Sequence, residues 1–334
     1  MILIAMLAVV ATPQPADVRT FEDCTVACDN GLACEAVALL PAEAEWEEWV
    51  TLMLRRGANP GDRPEVILQN LEQMPSVLLA DGRPIPARFT GTDDGFVVQA
   101  DENALIEALR NGHQLAVRVP STARHWSVSL AGASAAMLYM DERQRRLDTV
   151  TALVRRGPRP ASAVPAPPPL PQVRMAPAAT DRPLAIDTAL VARFRRQFEC
   201  EEYDTRGPGA VETEQIATGR TLVLIPCGSG AYNFSSVPLI AQRRGGRVVA
   251  TVAAFDRQWG IATDGHPTLV NASWDPEARR LREYSKGRGL GDCGSRSEYA
   301  WDGTRFRLVS QEEMEECRGS LHYVTTWRAA TVGR

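Results

Sequence analysis

The sequence predicts an α+β fold of two β-rich domains, built mainly from antiparallel strands with a few helices and joined by a Pro/Ala-rich linker. Three observations support this prediction. Runs with the two-residue period of half-buried strands recur along the chain, and Asp-Gly turns join several of them. Two stretches show the spacing of an amphipathic helix, and a third, at 130–146, is small and apolar at its start and charged later. One segment, residues 157–183, is rich in proline and alanine and has neither period.

The first domain is expected over residues 17–156. The run CTVACDNGLACEAVAL predicts a hairpin around an Asp-Asn-Gly turn, and WVTLMLRR predicts a half-buried strand. SVLLADGRPIPARF repeats the hairpin pattern. In DENALIEALRNG the pattern changes to a helix, which Asp101 caps and Gly112 ends. A second helix, predicted over residues 130–146, makes this half α+β rather than an alternation of strand and helix.

Residues 157–183 are expected to be a semi-rigid spacer, because proline-rich chain of this kind extends without packing. A structureless stretch of this length is uncommon inside a compact domain, which favours a domain boundary. The second, disulfide-bonded domain is expected over residues 184–334. Its first element is a helix with an apolar stripe from Ile186 to Phe198, and Cys200 lies just past its end. Strand-like runs follow, from TLVLIP to LHYVTTW.

Export from the cytoplasm is predicted by the N-terminus and by the cysteines. Residues 1–16 resemble a signal peptide with an apolar core from Ile2 to Ala11, although a charged start is missing. A hydrophobic first strand is the alternative for this segment. Seven cysteines in one chain are typical of an oxidising compartment. The expected location is therefore periplasmic or secreted.

The cysteines are expected to form three disulfide bonds and to leave one thiol free. If residues 24–28 form one strand, Cys24 and Cys28 are about 13 Å apart at ~3.3 Å per residue, too far for a bond. Cys28 instead faces Cys34 across the hairpin turn. Cys24 is expected to be buried and unreactive. The predicted bonds are Cys28–Cys34, Cys200–Cys227 and Cys293–Cys317.

Composition argues against nucleic-acid and membrane-spanning roles. A net charge of −4 and scattered basic residues do not make the cationic surface of a nucleic-acid binder. No apolar run approaches the ~20 residues of a spanning helix. The motif G-x-G-x-x-G at 289–294 precedes a predicted hairpin rather than a helix, so no dinucleotide is expected there. The N-terminal cysteines lack zinc-site spacing, and no cofactor or metal is expected.

No serine or histidine is predicted to be catalytic. Ser229 lies between glycines, but it lacks the G-x-S-x-G frame and a following helix. His266 and His322 have no evident partner to orient them as bases. The phase of the last strand places His322 on a solvent-facing position.

Paired carboxylates are the other candidate chemistry. Asp292 and Glu298 flank Cys293 and are the candidate pair of a hydrolase, with a purely structural role as the alternative. The acidic run QEEMEEC at 311–317 lacks calcium-loop spacing and predicts a solvated loop. Four tryptophans form either a ligand-stacking surface or part of the core, namely Trp259, Trp274, Trp301 and Trp327.

Three blocks of the sequence resemble a known family. FEDCTVACDNGLACEAVAL at 21–39, SLAGASAAMLYMDERQ at 129–144 and the long block at 269–309 resemble the proteobacterial domain-of-unknown-function family 1176. The N-terminal half is also distantly similar to invasion-associated locus B proteins, through the Cys28 region and the L-x-G-x-x-A pattern at 130–135. The resemblance implies an exported protein of a Gram-negative bacterium with no established activity, so no catalytic residues carry over.

These observations predict an exported envelope protein that acts as a non-catalytic binding or structural module. Its expected partner is another envelope protein or a cell-wall component. Two alternatives stay open: a secreted hydrolase of cell-wall glycan or peptide, and an inhibitor or accessory factor of such an enzyme. A single cleft lined by Asp292, Glu298 or His322 favours the hydrolase.

Overall fold

The computed structural model describes residues 15–44, 49–120, 125–200, 210–257 and 267–333. The predicted signal peptide lies almost wholly outside the described residues, as do His266 and Trp259. The described part of the chain contains three α-helices and 23 strands, and the strands pair antiparallel with one exception. The predicted β-rich α+β class is confirmed.

The N-terminal half contains 11 strands in two sheets. These are β1 Arg19–Phe21, β2 Cys24–Cys28, β3 Cys34–Ala38, β4 Thr51–Arg56, β5 Pro64–Gln69, β6 Val77–Ala80, β7 Arg83–Ile85, β8 Ala87–Thr92, β9 Gly95–Ala100, β10 Gln114–Arg118 and β11 His125–Ser129. One sheet has seven strands in the order β1-β2-β3-β4-β5-β9-β8, and the other has the order β11-β10-β6-β7. Side chains from both sheets meet in one hydrophobic core.

Two helices complete this core. Helix α1, Glu102–Asn111, begins where the Asp101 carboxylate accepts a hydrogen bond from the Ala104 N–H at 2.9 Å. It ends at Gly112, as the sequence predicts, and it buries an apolar face. Helix α2, Ala133–Arg143, is shorter than the predicted 130–146, because Gly132 takes the left-handed conformation and sets its start.

A buried network of charged and amide groups fastens the end of α2 to the surrounding loops. Arg56 donates to the Asp141 carboxylate at 2.9 Å and to the Gln144 side-chain oxygen at 2.7 Å, and all three side chains are buried. Arg146, also buried, donates to the same Gln144 oxygen and to the carbonyls of Asn59 and Pro60. Burial and the charge of Arg56 lower the pKa of Arg146 to about 10.

The Pro/Ala-rich segment is more ordered than its composition predicts. Strand β12, Gln172–Arg174, pairs parallel with β23, Ala330–Val332, which lies more than 150 positions later in the sequence. Val164 and Val173 are buried. At Gln172–Arg174 the segment therefore forms a strand rather than structureless chain, because its backbone pairs with β23. The division into separate domains stays a prediction.

The C-terminal half begins with helix α3, Thr188–Gln197, which Asp187 caps. The strands that follow are β13 Glu212–Ala217, β14 Arg220–Ser229, β15 Phe234–Arg244, β16 Arg247–Val252, β17 Leu269–Val270, β18 Ser273–Asp275, β19 Arg280–Lys286, β20 Gly294–Trp301, β21 Phe306–Met314 and β22 Val324–Arg328. One sheet has the order β13-β14-β15-β16 with β17 on β15, and the other has the order β18-β19-β20-β21-β22. The two sheets enclose a core, and α3 packs on the outer side of the first.

The two halves share a further hydrophobic cluster. Ala27, Val37 and Met53 project from the seven-stranded sheet on the face away from its helices. They pack with Met314 and Val324 of the C-terminal half. Strand β4 was predicted to be half-buried, yet both of its faces are covered, because the second half of the chain lies on the face that the period assigns to solvent.

Candidate functional site

The loop at residues 287–293 joins β19 to β20 and contains the glycine motif. Gly291 has a φ of +73°, and a Cβ there would lie 2.5 Å from the Tyr284 hydroxyl oxygen. Gly294 has a φ of +130°, and a Cβ there would overlap the Ser285 carbonyl oxygen. Because these two positions have no side chain, the loop can lie close to Tyr284 and Ser285 of β19. Gly294 begins a strand rather than a helix, so the loop offers no helix N-terminus to a pyrophosphate.

Two tyrosines from neighbouring segments bind this loop through their hydroxyls, and their rings contact an arginine. The hydroxyls of Tyr284 and Tyr323 both donate to the Gly291 carbonyl, at 2.8 and 3.0 Å. Their rings meet edge to face with centroids 6.0 Å apart. The Arg296 guanidinium carbon lies 4.2 Å from the centroid of Tyr323 and 4.8 Å from that of Tyr284. The rings therefore hold Arg296 by cation–π contacts at the sheet surface.

A pocket of about 470 Å³, which we call the charged pocket, opens on this face of the β18–β22 sheet. The alternation of side chains along β19 and β20 places Arg282, Tyr284, Arg296 and Glu298 on one face. The volume lies within the ~300–1,000 Å³ typical of small-molecule sites. The lining residues are Asn271, Ser273, Arg282, Glu283, Tyr284, Lys286, Arg296, Ser297, Glu298, Ser310 and Glu312.

Both arginines of the charged pocket are paired with carboxylates. Arg282 contacts Glu298 and Asp275, each at 2.9 Å. Arg296 lies 3.8 Å from the carboxylate of Glu312. Burial raises the pKa of Glu312, while the charge of Arg296 opposes this rise. The pocket thus has fixed charges of both signs.

Next to the charged pocket, a glutamate from the N-terminal half meets a histidine from the C-terminal half. Glu35 accepts hydrogen bonds from the N–H and hydroxyl of Thr325, at 3.0 and 3.1 Å, and lies 3.4 Å from His322 Nε2. Burial would raise the pKa of Glu35, but the hydrogen bonds and charge of its partners lower it. His322 is half-buried and precedes β22, so its predicted place as a solvent-facing strand residue is wrong.

Two residues of the pocket lining, Glu283 and Ser297, belong to the alternate set of positions whose side chains point to the opposite face of the sheet, where a buried polar row lies. Glu283, Ser297 and Gln311 are direct neighbours across β19, β20 and β21. Ser297 donates to the Gln311 side-chain oxygen at 2.7 Å, and the Val270 N–H donates to Glu283 at 3.2 Å. Within the described chain, Glu283 Oε2 and the Tyr299 hydroxyl have no hydrogen-bond partner. Burial raises the pKa of Glu283 to about 7.

The structure does not assemble the predicted carboxylate pair in one cleft. Asp292 is fully buried, bonded to Arg288 at 2.5 and 2.7 Å and to the Gly319 N–H at 2.8 Å, so it fastens the glycine loop. Glu298 does line the charged pocket, but as a partner of Arg282. Sequence reasoning missed Glu35, which lies 287 positions from its partner His322.

The remaining candidates have structural positions. Ser229 is exposed at the end of β14, and β15 rather than a helix follows. Trp301 and Trp327 are core residues, and Trp274 packs against the same core. The run at 311–317 is mostly the end of strand β21 rather than a solvated loop, since Gln311 and Met314 are buried. No cluster of three His, Cys, Asp or Glu side chains suited to a metal occurs in the described ranges. In these ranges no helix is long and apolar enough to cross a bilayer.

The structure contains the three disulfide bonds expected from the sequence and brings together each expected pair. Cys28 and Cys34 are register partners on β2 and β3. The other bonds join Cys200 to Cys227 and Cys293 to Cys317, and the last of these anchors the glycine loop. Cys24 is free and buried, and burial raises the pKa of its thiol to about 12.

Alkylation of the protein as extracted from cells, in denaturant without reductant, should therefore label one cysteine. Peptide mapping is expected to find the label at Cys24 and to recover the other six cysteines as the three bonded pairs. In the native state Cys24 should resist the same reagent, because it is buried and protonated. Labels on several cysteines of freshly extracted protein would contradict both the bonds and an oxidising location.

These features describe a disulfide-bonded, β-rich protein with a ligand-sized charged pocket. The chain belongs to the family described as protein of unknown function (DUF1176), whose profile matches residues 18–334, as the resemblance implied. It is similar to uncharacterized protein YpfG of Escherichia coli (strain K12), with 28% identity over 335 residues and 92% of each chain covered. Invasion associated protein b from Bartonella henselae matches at 16% identity and a TM-score of 0.28, covering 38% of this chain and 98% of that one.

Proposed function

We propose that this chain is an exported envelope protein that acts as a non-catalytic binding module, and that the charged pocket holds a polar component of the cell wall. One observation supports this most directly. A pocket of about 470 Å³ opens on one face of the β18–β22 sheet, and its walls are charged, hydroxyl and amide groups around one tyrosine. The three disulfide bonds favour an oxidising compartment.

The lining favours binding over catalysis. The arginines and most carboxylates of the pocket are engaged with each other, which fixes their side chains in advance of a ligand. Mixed charges suit a ligand that itself has charges of both signs. A cell wall contains such material in the peptides attached to its glycan.

Co-sedimentation with purified sacculi tests the proposal. Replacing Ser310 with tryptophan places a large ring in the charged pocket, and we expect the apparent affinity to fall at least about tenfold. Thr218→Trp is the matched control, because Thr218 is exposed beside the β13–β14 turn and outside the pocket. Equal sedimentation of the two variants, or no sedimentation of the wild type, would contradict the proposal.

A hydrolase of the same material is the second candidate. Burial raises the pKa of Glu312, whereas hydrogen bonds to His322 and Thr325 lower that of Glu35 against its burial. Carboxyl groups whose pKa values are driven apart are typical of acid and base pairs. The sedimentation assay separates the two functions, because a hydrolase releases soluble fragments and Glu312→Gln stops the release, while a binding module releases none.

A further inference from the structure

The charged pocket contains the single lysine of the protein. Of its 37 basic residues, 36 are arginines, and Lys286 is the exception. Lysine and arginine are interchangeable on most solvated surfaces but not in a binding site, because the ammonium is a compact point charge with three donors and the guanidinium is a planar fork. A chain that uses arginine everywhere else has a lysine at the end of β19, in the pocket wall.

The surroundings of Lys286 fix its backbone and leave its charge available. The Asn233 side chain donates to the Lys286 carbonyl at 2.8 Å and accepts from its N–H at 3.1 Å. Its ammonium lies 5.3 Å from the ring centroid of Tyr284, and that ring is itself anchored on Gly291. Within the described ranges no carboxylate lies in ion-pair distance of Lys286, in contrast to Arg282 and Arg296.

The charges of the pocket narrow the class of ligand. A neutral sugar would leave the ammonium unpaired, and a dianionic phosphate would face the carboxylates of Glu298 and Glu312. A ligand with one carboxylate and one amino group gives Lys286 a counter-charge, and its amino group adds a second donor to Glu298 and Glu312, each of which pairs with one arginine and has further lone pairs. We propose, on the basis of the proposed function, that Lys286 binds the free carboxylate of a zwitterionic peptide whose amino group faces Glu298 and Glu312.

A single lysine makes this testable with a direct probe. Reductive methylation with ¹³C-formaldehyde keeps the charge and labels Lys286 and the chain's α-amino group alone. The probes are the tripeptide Ala-Ala-Ala, which has one amino group and one free carboxylate, and the same tripeptide as its C-terminal amide. We expect the free acid to shift the Lys286 signal, and the amide to bind at least about tenfold more weakly, because a charge-assisted hydrogen bond is lost.

Calorimetry on unmodified protein provides the second measurement. Lys286→Met should bind both tripeptides equally, whereas Arg247→Met, which removes an exposed cation outside the pocket, should keep the wild-type preference for the acid. If Lys286→Met still preferred the acid, the inference about Lys286 would be wrong. The proposed function would still be supported as long as the wild type sediments with sacculi. Wild-type protein that binds neither tripeptide also overturns it, and failure to sediment with sacculi removes the proposed function as well.

Discussion

Replacing Asp141 with asparagine is expected to lower the free energy of unfolding by about 3–5 kcal/mol. The Asp141 carboxylate is fully buried and accepts hydrogen bonds from the Arg56 guanidinium and from the N–H groups of Leu153 and Val154. Asparagine keeps one acceptor oxygen and replaces the other with an amide that donates. That amide would face donors, and Arg56 would lose its counter-charge.

A second buried cation increases the cost. Arg146 shares the Gln144 side-chain oxygen with Arg56, so the two guanidinium groups lie in one network with a single buried carboxylate. Without the negative charge of Asp141, two cations face each other away from water. Breaking a buried ion pair by removing one partner is costly for this reason, whatever the net contribution of the intact pair.

Urea denaturation measures this effect, with Asp148→Asn as the matched control. Asp148 is exposed and forms a surface ion pair with Arg155 at 3.3 Å, so its replacement should change the free energy of unfolding by no more than about 0.5 kcal/mol. If Asp141→Asn stayed within about 1 kcal/mol of the wild type, the buried network would not be what holds α2 to its loops.

Local signals in the sequence predicted the local structure well. Asp101 and Gly112 bound helix α1 as expected, since capping depends on groups within a few residues. The packing of strand β4 could not be predicted in the same way. Its alternation indicates one buried face, and the second is covered by residues such as Met314 and Val324, more than 250 positions later in the chain. The alternation along a strand shows that its two faces differ in polarity. It does not show whether a distant part of the chain packs on the more polar face.

The candidate site shows the same limit. Asp292 and Glu298 are the predicted pair because they are close in sequence to Cys293. In the structure, Asp292 instead fastens a loop through Arg288 and the Gly319 N–H. Glu35 joins His322 only through the approach of the two halves. One signal was available without the structure, namely the single lysine in a chain of arginines. A residue type that occurs once in a chain can therefore suggest a candidate site where motif spacing does not.

Replacing Glu283 with glutamine is expected to remove a pH dependence of stability worth about 3 kcal/mol. Burial raises the pKa of Glu283 from 4.5 to about 7, while the Val270 N–H favours the ionised form only in part. The folded protein therefore holds this proton more tightly than the unfolded chain. The stability that the proton provides is complete below pH 4.5, falls as the pH rises towards about 7, and is absent above that.

Unfolding in urea at several pH values between 4 and 8 measures this contribution. The difference in free energy of unfolding between Glu283→Gln and the wild type should move in favour of the variant by about 3 kcal/mol across that range, at about 1.4 kcal/mol per pKa unit. Comparing differences cancels both the titration of other groups and any fixed packing cost of glutamine. Glu277→Gln changes an exposed carboxyl and should run parallel to the wild type. A Glu283→Gln curve that also ran parallel would show that the folded protein does not raise the pKa of Glu283, and it would contradict the prediction.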